Sequence, residues 1–195
     1  MLRDTPSAVT RGAAAIRIIS GTLKGRRLRP PDWPGLRPSS DRLRETLFNV
    51  LGQRLDGWRV LDAFAGTGAV GIEALSRGAA DVTFVERDPR AAALIAENLA
   101  HCGVTERYAI IRVDFARAAA RLAGSRFDLM FLDPPYGAAE MTSALEQAEP
   151  LASAGTTVVL EHARRDAAPA RQGHLTLTRA LTSGDSGLAL YEWRA

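Results

Sequence analysis

The tetrapeptide Asp133, Pro134, Pro135, Tyr136 sets a carboxylate, two rigid backbone units and an aromatic ring directly after the apolar run FDLMFL at 127–132. Such a set suits the modification of an exocyclic base amine, a poor nucleophile because its lone pair is delocalised into the ring. An acceptor that takes the amine's hydrogen bonds rehybridises the nitrogen. Asp133 and the carbonyl of Pro134 are suited to that, since proline fixes the backbone and holds the acceptors in place before reaction. Tyr136 can stack on a base that has left its helix. Rate would then come mainly from alignment of the reacting atoms in a dry pocket. The bland alternative is a simple turn, which Asp and Pro also favour.

A second constellation lies upstream. Asp62, Ala63, Phe64, Ala65, Gly66, Thr67, Gly68, Ala69, Val70, Gly71 contain G-x-G-x-x-G, after a predicted strand and at the start of a predicted helix. Glycines there let the backbone approach a ligand and leave helix amides free for an anionic group, while Glu86, twenty residues beyond Gly66, can bind ribose hydroxyls. Taken alone, this fits a dinucleotide. Asp62 argues otherwise: a carboxylate beside the loop repels a pyrophosphate and attracts the ammonium and sulfonium of S-adenosyl-L-methionine. Asp114, just after the next strand, stands where an acid could accept a hydrogen bond from the adenine amine.

These residues need a scaffold that gathers them at one sheet edge. From Trp58 onward, short apolar runs alternate with helical segments: WRVLDAF, VTFVE at 82–86, YAIIRV at 108–113, FDLMFL and TTVVLE at 156–161. Runs apolar on both faces are strands of a covered parallel sheet, and the alternation implies right-handed βαβ units with ligands at the carboxyl ends of the strands. The clearest helix spans 88–102, with Asp88 as cap, Pro89 in the first turn and Gly103 closing it. LTLTRAL at 175–181 and LALYEW at 188–193 predict an antiparallel edge hairpin turning through Gly184 and Gly187. Upstream, IRIIS and the glycines around Lys24, Arg26 and Arg27 predict a small basic hairpin. After a Pro-rich stretch, Ser39, Ser40 or Asp41 caps a helix with Leu43, Leu47, Val50, Leu51 and Leu55 on one face, ended by Gly57.

The chain has 195 residues, 46% hydrophobic and 24% charged, which fits one ordinary globular core. No apolar run is long enough to span a membrane, and Met1 to Ala14 lack the apolar stretch of a signal peptide. A soluble, cytoplasmic protein with a frayed tail over 1–14 is expected. Cys102 is the single cysteine, which excludes an intramolecular disulfide and reads as a buried helix-end thiol. His101, His162 and His174 show no metal-ligand spacing, so no metal is expected. Net charge is +3 but uneven: eleven Arg or Lys stand against four acids over 1–54, and fourteen against eighteen over 55–195. A basic end on a mildly acidic body suits gripping a polyanion. Lys24 is the sole lysine among 25 basic residues, so compositional bias toward arginine explains the excess equally well.

DAFAGTGAVGIEALSRGA at 62–79, FVERD at 84–88 and DPPY at 133–136 together establish an amino methyltransferase pattern. RIISGTLKGRRL at 17–28 and RPSSDRLRETLFNVL at 37–51 narrow it: the sequence resembles the bacterial RsmD-type 16S ribosomal RNA guanine-N2 methyltransferases. The resemblance covers most of the chain. It implies a Rossmann-like class I α/β fold, with a mostly parallel seven-stranded sheet, helices on both faces, a C-terminal antiparallel hairpin and a small basic N-terminal extension. It divides the chain into the tail, an RNA-facing hairpin and helix at 15–56, and a methyltransferase domain at 57–195. It implies S-adenosyl-L-methionine binding by Asp62, Phe64, Ala65, Gly66, Gly68, Gly71, Glu86, Asp88, Asp114 and Asp133, and catalysis by Asp133, Pro134 and Tyr136. It implies RNA contacts by Lys24, Arg26, Arg27, Arg37, Ser39, Asp41, Arg42 and Arg44, with Glu45 nearby. The expected partner is 16S ribosomal RNA in the 30S subunit or its assembly intermediate, met by a monomer. Two departures stand out: Ser39 and Ser40 replace the family's usual threonines, and TRALTSGDSG carries only Arg179 where a basic stretch is usual.

A DNA or RNA adenine-N6 methyltransferase shares Asp-Pro-Pro-Tyr, but only about 55 residues remain for reading a DNA sequence, little for the many base-edge contacts that needs. RNA shape is the better target. Asp rather than Asn at position 133 disfavours a protein-glutamine acceptor. An RNA-binding assembly factor with incidental methylation suits the basic extension, but the complete cofactor loop argues against lost activity. LAHC at 99–102 and GDSG at 184–187 resemble serine-protease fragments, yet His101 ends a predicted helix and Ser186 falls in a predicted turn.

Overall fold

Chain segments apolar on both faces become the central strands, and their order places the candidate residues. The computed structural model describes residues 16–36 and 39–195. The tail expected over 1–14 and the candidate Arg37 lie outside the described residues.

Two short strands, β1 (Ile16–Arg17) and β2 (Arg27–Leu28), pair antiparallel as a hairpin. Helix α1 (Asp41–Leu51) follows, then β3 (Arg59–Asp62), α2 (Ala69–Ser76), β4 (Asp81–Val85), α3 (Pro89–His101), β5 (Tyr108–Ile111), α4 (Phe115–Arg121), β6 (Leu129–Leu132) and α5 (Ala138–Ala148). The chain closes through β7 (Thr157–Ala163), β8 (Arg171–Gln172), β9 (Leu175–Ser183) and β10 (Ser186–Trp193). The sheet order is β5-β4-β3-β6-β7-β10-β9-β8. β3 to β7 are mutually parallel, while β10 runs antiparallel between β7 and β9. This is the expected Rossmann-like sheet with its C-terminal hairpin, seven main strands plus the two-residue β8 on the edge.

Both sheet faces are covered, which is why the parallel strands can be apolar throughout. On one face Val60, Val82 and Phe84 share a core with Ile72 and Ile95 of α2 and α3, and with Ile16, Ile18, Leu43, Leu47 and Phe48 from the N-terminal segment. On the other, Leu61, Val85 and Met130 pack on Phe115 of α4 and Met141 and Leu145 of α5. Each such large side chain stabilises the fold by about 1.5–3 kcal/mol through burial. Gly71 is needed where α2 crosses the sheet, because a Cβ there would overlap the Phe84 ring.

Local readings held where capping chemistry decided them. Asp88 caps α3 by accepting from the Arg90 amide at 2.8 Å, and Pro89 opens the helix. Ser40, one of three candidates, caps α1 by accepting from the Leu43 amide at 3.2 Å. Two readings need correction. α1 ends at Leu51 with Gly52 at φ 101° rather than at Gly57; Leu55 is fully buried but lies beyond the helix, so it extended the apolar pattern without extending the helix. Ser186 begins β10 rather than sitting in the turn.

Arg44 overturns an expectation outright. Its side chain is fully buried, so it cannot meet RNA. It bonds Asp41 at 2.6 Å, the carbonyl of Arg17 at 2.9 Å and Glu73 of α2 at 3.5 Å. Glu73, also fully buried, takes the Arg77 guanidinium at 2.8 Å and the amides of Ile19 and Ser20 at 2.7 and 2.9 Å. One carboxylate thus ties hairpin, α1 and α2 together.

Candidate active site

A cavity of about 670 Å³ opens at the carboxyl ends of β3, β4, β6 and β7. Asp62 closes β3 at its floor and Glu86 follows β4. Asp133 and Pro134 follow β6, and Glu161 stands near the end of β7. The strand ends gather these residues because parallel strands present all their carboxyl termini at one edge. Phe64, Ala65, Gly66, Asp88, Asp114, Tyr136 and Ser39 also border the cavity. Gly68 and Gly71 stand behind it: Gly68 is the left-handed cap of α2, and Gly71 serves the helix-to-sheet contact.

The glycine loop departs from the expectation of free amides. Gly66 donates its amide to Glu86 at 2.9 Å, Gly71 to Asp62 at 3.0 Å, and Gly68 to the carbonyl of Ala65 at 2.7 Å. Glu86 also takes the Asp88 amide at 2.8 Å. Two of the three glycine amides are thus taken by the chain's own carboxylates and the third by a backbone carbonyl, which places acids where a phosphate would need donors. Asp114 caps α4, taking the Arg117 amide at 3.0 Å, and still borders the cavity.

Burial raises the Asp62 carboxyl to about 7; the Gly71 amide opposes this and the charge of Glu86 adds to it. Asp133 is pushed well above the usual carboxylate range, first by desolvation, then by the charges of Glu161 and Asp62 and a hydrogen bond with Glu161. Glu161 in turn accepts from the Ser186 hydroxyl of β10 at 3.0 Å. Beside the acids lies an apolar shelf, where Phe64 meets Phe115 edge-on at 5.5 Å. Tyr136 is 52% exposed, and large apolar side chains are otherwise covered among the described residues; at the mouth it offers a ring for stacking.

Several wall residues had no sequence signal. Trp33 and Leu36 come from the Pro-rich segment, with the Arg90 guanidinium 5.0 Å from the Trp33 ring. Glu161 comes from β7, beside β6, and Ser186 from β10, beside β7, neighbours that only the sheet order reveals. The expected RNA residues divide. Ser39 borders the cavity and Arg42 is exposed on α1. Asp41 is engaged with Arg17 and Arg44. Lys24, Arg26 and Arg27 are exposed, but the hairpin turn rests on the carboxyl ends of α2 and α3, through Thr22 to Ser76 at 2.8 Å and Arg26 to His101 at 3.4 Å. In right-handed βαβ units those helix ends lie at the opposite sheet edge from the cavity.

The family model described as conserved hypothetical protein 95 matches residues 16–192. The chain is 37% identical over 188 residues to the ribosomal RNA small subunit methyltransferase D of Escherichia coli strain K12, covering 94% of this chain and 93% of that protein. It is 39% identical over 184 residues to YlbH of Bacillus subtilis strain 168, covering 92% and 100%. Among solved structures, the Escherichia coli protein yhhF superposes with a TM-score of 0.81 at 32% identity, covering 93% of this chain and 99% of that one.

Proposed function

Because the chain belongs to the RsmD-type methyltransferase family, we propose that it transfers a methyl group from S-adenosyl-L-methionine to the N2 amine of a guanine in 16S ribosomal RNA. The observation that carries this reading is the convergence of Asp133 and Pro134 with the Asp62 loop on one cavity. The residues present fit the cofactor. Asp62, Glu86 and Asp114 offer acceptors for its ammonium, ribose and adenine amine, Phe64 and Phe115 offer a shelf for a flat ring, and the carboxylates on the Gly66 and Gly71 amides disfavour a pyrophosphate. When bound, it supplies an electrophilic methyl group on a sulfonium.

What remains is the work of the chain. Asp133 and the Pro134 carbonyl accept the two amine hydrogens of the target base, turning the nitrogen lone pair outward. A carboxyl held above its usual range is also a stronger proton acceptor for the amine once it has been alkylated. Tyr136, exposed at the mouth, stacks on the base drawn from its helix. The cavity walls exclude water, which strengthens these interactions. Gly66, Ala65, Phe64 and Asp88 shape the cofactor side; Ser39, Arg42, Lys24, Arg26 and Arg27 belong to the RNA-facing surface, with the small subunit or its assembly intermediate as the particle bound.

The test is transfer from labelled S-adenosyl-L-methionine to unmethylated 30S subunits, naked 16S ribosomal RNA and duplex DNA, followed by nucleoside mass spectrometry. N2-methylguanosine from the ribosomal substrates is expected. N6-methyladenine in DNA would keep the chemistry and overturn the substrate.

A further inference from the structure

The C-terminal hairpin reaches the cavity through one hydroxyl. Ser186 opens β10, pairs with Ala163 of β7, and donates to Glu161 Oε1 at 3.0 Å. Glu161 is 5% exposed and stands one residue beyond Leu160, the register partner of Leu132, which precedes Asp133. Asp133 and Glu161 are therefore neighbours across a parallel pair, and the Glu161 carboxyl helps to hold Asp133 above the usual carboxylate range. Two carboxyl groups so placed can hydrogen-bond only by holding a proton between them. Asp133, Glu161 and Ser186 all border the same cavity.

We propose that Glu161 and Ser186 are positioning residues for Asp133: the hydroxyl fixes one carboxyl, and a proton shared between the two carboxyls fixes the other, so the hairpin completes the site. The inference deepens the proposed function and rests on it for its catalytic meaning. The chain orients the Asp133 oxygens toward the amine and governs the pH range in which Asp133 is an acceptor rather than a donor. The groups around the pair are consistent with this. Asp62 faces it from β3. Glu86 after β4 and Asp114 at α4 stand farther along the wall, as do Arg87 and Arg90, the latter paired with Asp88 at 3.0 Å. His162, next to Glu161, lies against Gly187 and bonds the Ala163 carbonyl at 3.0 Å.

The sign of the effect follows from the donor. A hydroxyl given to Glu161 stabilises its ionised form, so Ser186→Ala should make the pair hold its proton more tightly and move its titration to higher pH. Ser186→Thr should restore it. Glu161→Gln should leave Asp133 titrating alone and lower than in the pair, since a neighbouring negative charge is gone. The direct measurement is the titration of ¹³C-labelled carboxyl groups by NMR in the ligand-free full chain, with Asp133→Asn to assign the signals. An Asp133 titration unmoved by both Ser186→Ala and Glu161→Gln overturns the inference whatever the enzyme does.

In turnover, Ser186→Ala should reduce kcat roughly tenfold, the effect of one hydrogen bond, with KM for S-adenosyl-L-methionine unchanged and the acid limb of the pH profile moved upward. A uniform loss of activity with no movement of that limb reduces Ser186 to a structural role and also overturns the inference. A wild-type chain without transfer to any substrate, yet with the coupled titration intact, would instead overturn the proposed function.

Discussion

Asp62 and Asp133 show how burial tunes a carboxyl for use. Asp133→Ala should keep S-adenosyl-L-methionine affinity within a few-fold while turnover falls by about 10²–10⁴, as calorimetry beside single-turnover kinetics would reveal; abolished binding would make Asp133 a structural residue. Asp62 carries a pH signature. Burial lifts it from an ordinary 3.8 to about 7, so folding takes up a proton there, and its contribution to stability is complete below the ordinary value and lost as pH rises through about 7. Ligand-free Asp62→Asn should therefore melt higher than the wild type at alkaline pH, the gain vanishing toward acid pH in calorimetric scans. A cation beside Asp62 favours its ionised form, so wild-type affinity for the cofactor should rise with pH up to about 7, and that rise should flatten in Asp62→Asn. Both acids were legible because each lies in a local motif at a strand end. Glu161 and Ser186 were not, because neither carries a signature and no spacing along the chain says that β7 lies beside β6 and β10 beside β7. The Gly66 and Gly71 amides are not free for a related reason: Glu86 and Asp62 reach back to them from outside the G-x-G-x-x-G pattern.

At the scale of elements, polar joints and caps matter as much as apolar pattern. Arg44→Ala should cost about 1–3 kcal/mol in urea unfolding, because it strips a buried donor from Asp41, the Arg17 carbonyl and Glu73. Arg42→Ala, on the exposed face of the same helix, should stay within about 0.5 kcal/mol. The family resemblance implied RNA contacts for both and could not tell them apart. The difference arises from α2, whose Glu73 draws in the arginine that α1 turns toward it. The same helix shows where periodicity outruns structure: Leu55 continues the apolar series, but Gly52 at φ 101° ends the helix and Leu55 fills the core from a loop. Where a cap is explicit, as at Asp88 and Pro89, the boundary was readable to the residue.

For the whole molecule, alternating strands and helices made the doubly covered sheet legible, whereas the direction in which the N-terminal hairpin points was not. Its turn lies at the sheet edge opposite the cavity, so an RNA that touches both Lys24 and Tyr136 must run along the side of the protein. Charge reversal at Arg26 and Arg27 should weaken RNA binding and flatten its salt dependence by about one unit of slope per lost phosphate contact, as filter-binding titrations at several salt concentrations would show. An unchanged slope would take these arginines out of the interface. The position of β10 has a different consequence. It is an interior strand, yet it is made after both of its neighbours, β7 and β9. While the chain is emerging from a ribosome, the parallel half of the sheet can form before β10 exists, leaving the pairing edge of β7 uncovered. Folding of the last third of the protein must therefore await synthesis of β10 and its insertion between two strands already made, a late non-local step that favours slow completion and a holding chaperone on that edge.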